Sequence, residues 1–148
     1  MKTNEGCPDL DMNSEMKDYR KGLETLSKLL GEEKAEGIAA RFKELNPSFE
    51  NEAISVVFGR TWSREAIDPK TRALCSIGIL AALGRFGALR IVFDIALSNG
   101  ATVEEITEAL LQVAIYAGYP AALDALPILK AVLEEKEISY EIPKSIED

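Results

Sequence analysis

A chain of 148 residues, 47% of them hydrophobic, is long enough to bury one core of its own, so one domain is the default expectation. Seventeen Lys and Arg against 25 Asp and Glu leave a formal charge of −8, which disfavours nucleic acid and anionic membrane surfaces as partners and points to a small-molecule ligand. The absence of histidine excludes imidazole acid–base catalysis and the commonest zinc and iron sites, so no metal site is expected.

The first segment, MKTNEGCPDLDMNSE, has no apolar signal region. No apolar run reaches the roughly 18 residues that span a bilayer without an Arg or Asp interrupting it. Neither export nor membrane insertion is expected. Cys7 lies in this polar leader and Cys75 in an apolar helix, too far apart for a CxxC pair and too few for a disulfide framework. Reduced thiols and a cytoplasmic location are the simplest reading.

Residues 1–13 lack periodicity and read as a mobile leader. Residues 14–136 read as one helical domain. Met16, Tyr19, Leu23, Leu26, Leu29 and Leu30 recur at helical spacing, and Gly31 ends that helix. Ile38, Ala39, Phe42 and Leu45 repeat the pattern over 33–45. Asn46-Pro47 then caps and opens a helix whose expected buried stripe is Phe49, Ala53, Ile54, Val57 and Phe58. Gly59–Ile67 reads as a loop carrying the single tryptophan, Trp62.

Asp68-Pro69 opens a helix running through Leu83, apolar almost all round from Ala73 onward and so expected to be buried on every side. Either the other helices wrap it or a second subunit covers part of it. Gly84 and Gly87 bracket a break before a helix over 88–98, which stops at Asn99-Gly100. Thr102-Val-Glu-Glu105 is a capping box for a helix through Tyr116, and Tyr119-Pro120 starts the last one, with Pro127 expected to kink it. Residues 137–148 read as an extended tail. No strand alternation survives, so the fold class is all-α, a bundle of six to seven helices.

Two stretches, FGRTWSREAIDPKTRALCSIGILAALGR and ALSNGATVEEITEALLQVAIYAGYPAALDAL, carry in order a DPKTR-type helix start, an LGR turn, an NG-T-EEI cap and a YAG-P-A-A stretch. In this the chain resembles the carboxymuconolactone decarboxylase family of the alkylhydroperoxidase-like superfamily, closely over about residues 58–126. The resemblance implies an all-α fold assembled as homotrimers or homohexamers, with a small-molecule pocket between helices near the subunit interface.

The superfamily's peroxidase branch uses a CxxC pair, a histidine and a glutamate. Counted back from Asn99-Gly100, those positions fall on Arg85, Ala88, Val92 and Ala73, so thiol peroxidase chemistry of that kind is rejected. The decarboxylase branch has GR, then a glutamate and a histidine suited to proton transfer. Gly84-Arg85 keeps the GR, but Ala88 and Val92 stand where the glutamate and histidine belong.

Decarboxylation needs a cation to orient the acid, an electron sink and a proton donor. A lactone or enone carbonyl is its own sink, and no cofactor is then required. Arg85 is a candidate carboxylate clamp, or else an arginine that caps helix carbonyls or bridges subunits. Tyr116 is a candidate proton donor, or else a core ring. Cys75, three residues from Arg72 and on nearly the same helix face, is a candidate acid or nucleophile, or else a buried structural cysteine. Arg72, Trp62, Val92 and Ala88 are candidate substrate-binding positions, with an ion pair the plain alternative for Arg72 and for Arg90, and a sealing contact the plain alternative for Trp62. Glu104, Glu105 and Glu108 read as first-turn capping and dipole residues.

Three functions follow from different classes. The first is a cofactor-free decarboxylase or isomerase of a small cyclic carboxylic or enolic compound. The second is a binding or scaffold protein that lost the Glu/His pair. The third is a thiol-dependent antioxidant that uses Cys75 alone.

Overall fold

In the computed structural model, residues 8–140 are described, with side chains from Asn13 onward. All regular structure among them is helical: α1 (Pro8–Leu30), α2 (Glu32–Leu45), α3 (Pro47–Glu52), a π-helix (Ala53–Trp62), then α4 (Pro69–Ala82), α5 (Phe86–Ser98), α6 (Val103–Ala117) and α7 (Tyr119–Glu135). The all-α expectation holds. Helix α1 starts at Pro8, inside the stretch read as a leader; residues 1–7, with Cys7, and residues 141–148 of the expected tail lie outside the described residues. The chain divides into two units between Ile67 and Asp68.

In the N-terminal unit α1 packs on α2 and on the π-helix, and α3 packs on α2 and leads directly into the π-helix. The buried hydrophobic residues are Leu26, Leu29, Ala35, Ile54 and Phe58. The approach of α1 to the π-helix is backbone-close at two points. A Cβ on Gly22 would stand 2.1 Å from the Ile54 carbonyl oxygen, and one on Gly59 would stand 2.2 Å from that of Asp18. Only hydrogen fits at either position. Arg60 reinforces the seam from outside, its Nε donating to Asp18 Oδ2 at 2.6 Å.

The expected stripe of α3 and the π-helix is corrected. Phe49 is 66% exposed and Val57 42%, while Glu50, Ile54, Ser55, Phe58 and Gly59 are buried. The buried set keeps the expected spacing but stands one residue later in the chain, and it includes Gly59, whose absent side chain admits the α1 backbone at Asp18. The π-helix also extends to Trp62, which the sequence placed in a loop. Ser55 Oγ is buried there without a hydrogen-bond partner.

In the C-terminal unit α4 contacts α5, α6 and α7, and α7 also contacts α5 and α6. Ile77 of α4, Leu89 and Phe93 of α5 and Ile106 of α6 are fully buried, each contributing about 1.5–3 kcal/mol in removal of apolar surface from water. Two charged contacts tie α5 to the end of α7: Arg90 with Glu135, and Lys136 Nζ with Asp94 Oδ1 at 2.6 Å. Arg90 is therefore an ion-pair residue.

Helix α4 is not buried on every side. Ala73, Ile77 and Ala81 are at 0% exposure, but Cys75 is exposed, Ile79 is 59% exposed and Leu83, just beyond the helix, 63%. An apolar residue count cannot tell burial within one chain from an apolar face left open, and here one face is open.

The close helix seam sets a testable contrast. Gly59→Ala should lower the stability of the fold by about 1–3 kcal/mol or more, because the added methyl meets backbone. Gly37→Ala, mid-helix in open space, should raise it by about 0.5–1 kcal/mol. Thermal unfolding of the two variants beside the parent protein measures both.

Candidate active site

The turn between α4 and α5 decides what Arg85 is able to do. Gly84 has φ +65, and its N–H donates to the Ala81 carbonyl at 3.1 Å, while the Arg85 N–H donates to the Leu80 carbonyl at 2.8 Å. This pair of bonds is the Schellman motif, which satisfies the Leu80 and Ala81 carbonyls with backbone alone. The arginine side chain is not needed as a cap. Arg85 is exposed, and its guanidinium has no protein partner among the described residues. It is a cation held at a helix junction and open to a ligand.

The other predicted positions separate into exposed and enclosed groups. Cys75 lies on the open face of α4 with Ile79, so its reading as a buried structural cysteine is corrected. Tyr116 is 85% exposed at the end of α6, which likewise corrects its reading as a core ring. Gly118, with φ +102, follows it and turns the chain into α7. Ala88 is exposed one turn into α5. Val92, a turn further on, is buried and faces the core. Arg72 is half-buried in the first turn of α4, its carbonyl accepting from Ser76 Oγ at 2.9 Å, and it is not a free cation.

Trp62 belongs to the N-terminal unit. Its ring lies 6.3 Å from that of Phe58, tilted by 39°, within the range of a packing aromatic pair. Both rings belong to the same π-helix, so the contact packs Trp62 on its own helix and seals no loop.

The helix starts around these positions are electrostatically tuned. Asp68 caps α4, accepting from the Thr71 N–H at 2.9 Å and from the Thr71 hydroxyl at 2.6 Å, and these bonds hold its carboxyl below the usual range. Thr102 and Glu105 form the complete capping box of α6, as expected. Glu105 also accepts from Lys70 Nζ at 2.8 Å, which joins the starts of α4 and α6 and, as the largest cause, lowers the Glu105 carboxyl pKa. Glu105 is thus occupied as cap and bridge and is not a proton-transfer group.

Residues 47–131 match the Carboxymuconolactone decarboxylase family. The chain is 33% identical over 130 residues to a 4-carboxymuconolactone decarboxylase of Acinetobacter baylyi, covering 88% of this chain and 96% of that one. The chain belongs to the carboxymuconolactone decarboxylase family. It is also similar to an uncharacterised 15.0 kDa protein of Paracoccus denitrificans, 35% identical over 64% of this chain and 72% of that one. A nitrosuccinic acid decarboxylase of Metarhizium robertsii is 30% identical over 53% of this chain and 54% of that one. Membership of the carboxymuconolactone decarboxylase family supports a decarboxylase-type lyase at family level.

Sequence reasoning missed one cluster in this family member. Glu50 is only 6% exposed, and Tyr19 donates to its Oε1 at 2.5 Å. This bond, followed by burial and the carboxylate's charge, pushes the Tyr19 pKa up to about 12. The available signal was the spacing Glu50, Ile54, Phe58, which puts a carboxylate on an otherwise buried stripe.

The caps make the C-terminal unit acid-sensitive. Folding lowers the pKa of Asp68 and of Glu105 below their ordinary values of 3.8 and 4.5. Groups with depressed folded values stabilise above the ordinary value, and that stabilisation is lost as pH falls through the folded one. The melting temperature should therefore fall on acidification below about pH 4, and Glu105→Gln should flatten that fall. Thermal melts across the acid range check it. A Glu105→Gln profile parallel to the parent's would contradict it.

Proposed function

We propose that the protein is a cofactor-free lyase that decarboxylates a small carboxylic acid bearing its own carbonyl or nitro electron sink, in a site built around Arg85. What carries the reading is near full-length similarity to a 4-carboxymuconolactone decarboxylase, together with a guanidinium left without a protein partner at the kept Gly84-Arg85 turn. A chain of net charge −8 repels anions at long range, so a carboxylate needs a local cation, and a bidentate guanidinium supplies it.

The chemistry assigned to the chain is small. Arg85 holds the carboxylate so that the C–CO2 bond lies across the substrate's conjugated sink. That bond breaks, CO2 leaves, and its electron pair moves into the carbonyl or nitro group. A donor then returns a proton to the carbon that lost CO2. Tyr116 and Cys75, both exposed, are the proposed donors, reprotonated afterwards by solvent. Arg72, half-buried on the helix that carries Cys75, and Ala88, exposed in the first turn of α5, are proposed to line the substrate.

Arg85, Cys75 and Tyr116 are open to water in the single chain, and a dry site is where an ion pair of this kind gains strength. We therefore place the working site at a contact between copies, in a homotrimer or homohexamer. The open apolar residues Ile79, Leu83, Leu111, Ile115 and Leu123 support it.

A second reading has its own support. Val92 is buried and apolar where a histidine is expected, and Ala88 cannot transfer a proton; both fit a binding or scaffold protein. Incubation with 4-carboxymuconolactone and with nitrosuccinate, monitored for CO2 release, decides between them. Turnover that Arg85→Ala reduces about 10- to 100-fold, the loss of one charge-assisted contact, supports the lyase. Turnover unchanged in that variant removes the clamp, and no release above background favours the scaffold.

A further inference from the structure

The Lys70–Glu105 ion pair fixes which ends of α4 and α6 lie together. It joins the two helix starts at 2.8 Å, and the helices pack on each other beyond it, with Ala81 of α4 and Ala114 of α6 buried near their far ends. From that pair α4 runs twelve residues to Ala82 and α6 runs twelve to Ala117, a rise of about 18 Å in each. The turn that holds Arg85 and the turn at Gly118 therefore stand at the same end of the C-terminal unit.

The Gly118 turn brings a second tyrosine to that end. Tyr119, 65% exposed, follows the glycine as Tyr116 precedes it, and neither hydroxyl has a protein partner among the described residues. A tyrosine ordinarily packs its ring and satisfies its hydroxyl. Two that do neither, on the two sides of one short turn, are rings held out from the fold. Gly118, at φ +102, takes a conformation that a side chain would strain, so the turn stays tight and Tyr119 stands at the first position of α7 instead of on a loop. Leu83, also exposed, adds apolar surface one residue before Gly84.

The chemistry of this end is mixed in a way that suits one kind of ligand. A guanidinium recognises a carboxylate, and an aromatic ring recognises a flat conjugated body. Among the described residues no carboxylate of the protein meets Arg85.

We propose that Tyr119 is a specificity-determining residue of the Arg85 site, its ring packing on the flat, conjugated part of the acid whose carboxylate Arg85 holds. Tyr119 acts there only if Arg85 is the carboxylate clamp proposed above, and it does so whether or not turnover follows. Its effect is to favour acids with a planar body over saturated ones of the same charge and size.

Furan-2-carboxylate and tetrahydrofuran-2-carboxylate form such a pair, and calorimetry on the full-length protein measures the affinity of each. Furan-2-carboxylate should bind about three- to tenfold more tightly. Tyr119→Phe should keep that ratio, and Tyr119→Leu should bring it close to one. Arg85→Ala should weaken both acids alike. The ratio is the readout because a change in folding or assembly moves both affinities together. Equal affinities in the parent protein, or a ratio that Tyr119→Leu leaves unchanged, overturn the role of Tyr119 while the clamp stands. Binding of neither acid, or binding indifferent to Arg85→Ala, overturns the clamp and the role of Tyr119 with it.

Discussion

Hydrophobic surface that a single chain leaves in water is the constraint on which the rest of this structure turns. Helices α4, α6 and α7 each bury one face, around Ile77, Ile106 and Leu129, and each presents another apolar face to solvent through Ile79, Ile115 and Leu123. Large apolar residues can be exposed singly without consequence, but one on each of three helices that contact one another marks an unfinished surface. Cys75 lies on the open face of α4 and Tyr116 stands near the end of α6 beside Ile115, so the proposed contact between copies would dry the candidate site as it covered those faces.

Much of the fold was legible because local chemistry announces helix ends. Asn46-Pro47, Asp68-Pro69 and Thr102 with Glu105 each cap the helix that their residue types promise, and Gly84 and Gly118 take the positive φ that the turns before α5 and α7 require. The expected stripe through Phe49 and Val57 had the observed spacing but stood one residue early. The signal for the right face was Gly59, whose missing side chain lets α1 come within contact of the backbone.

The site was legible only in part, and for a different reason. The Gly84-Arg85 turn survives in sequence and structure, and the Schellman bonds explain why its guanidinium is free. Exposure was not legible, since an apolar stretch such as Ala73–Leu83 has the same composition whether its second face meets its own chain or another. Buried Glu50 escaped notice because a Glu in the first turn of PSFENE resembles a dipole residue, whereas its side chain is held instead by Tyr19, 31 residues earlier.

Sedimentation velocity at micromolar concentration, on the parent protein and on Ile115→Glu, tests the unfinished surface most directly. Assembly through the open faces predicts a particle of three or six copies of the 16.2 kDa chain, broken down by a charge placed at Ile115. A parent protein that sediments as a single 16.2 kDa chain would contradict it. So would an Ile115→Glu variant that sediments as its parent does.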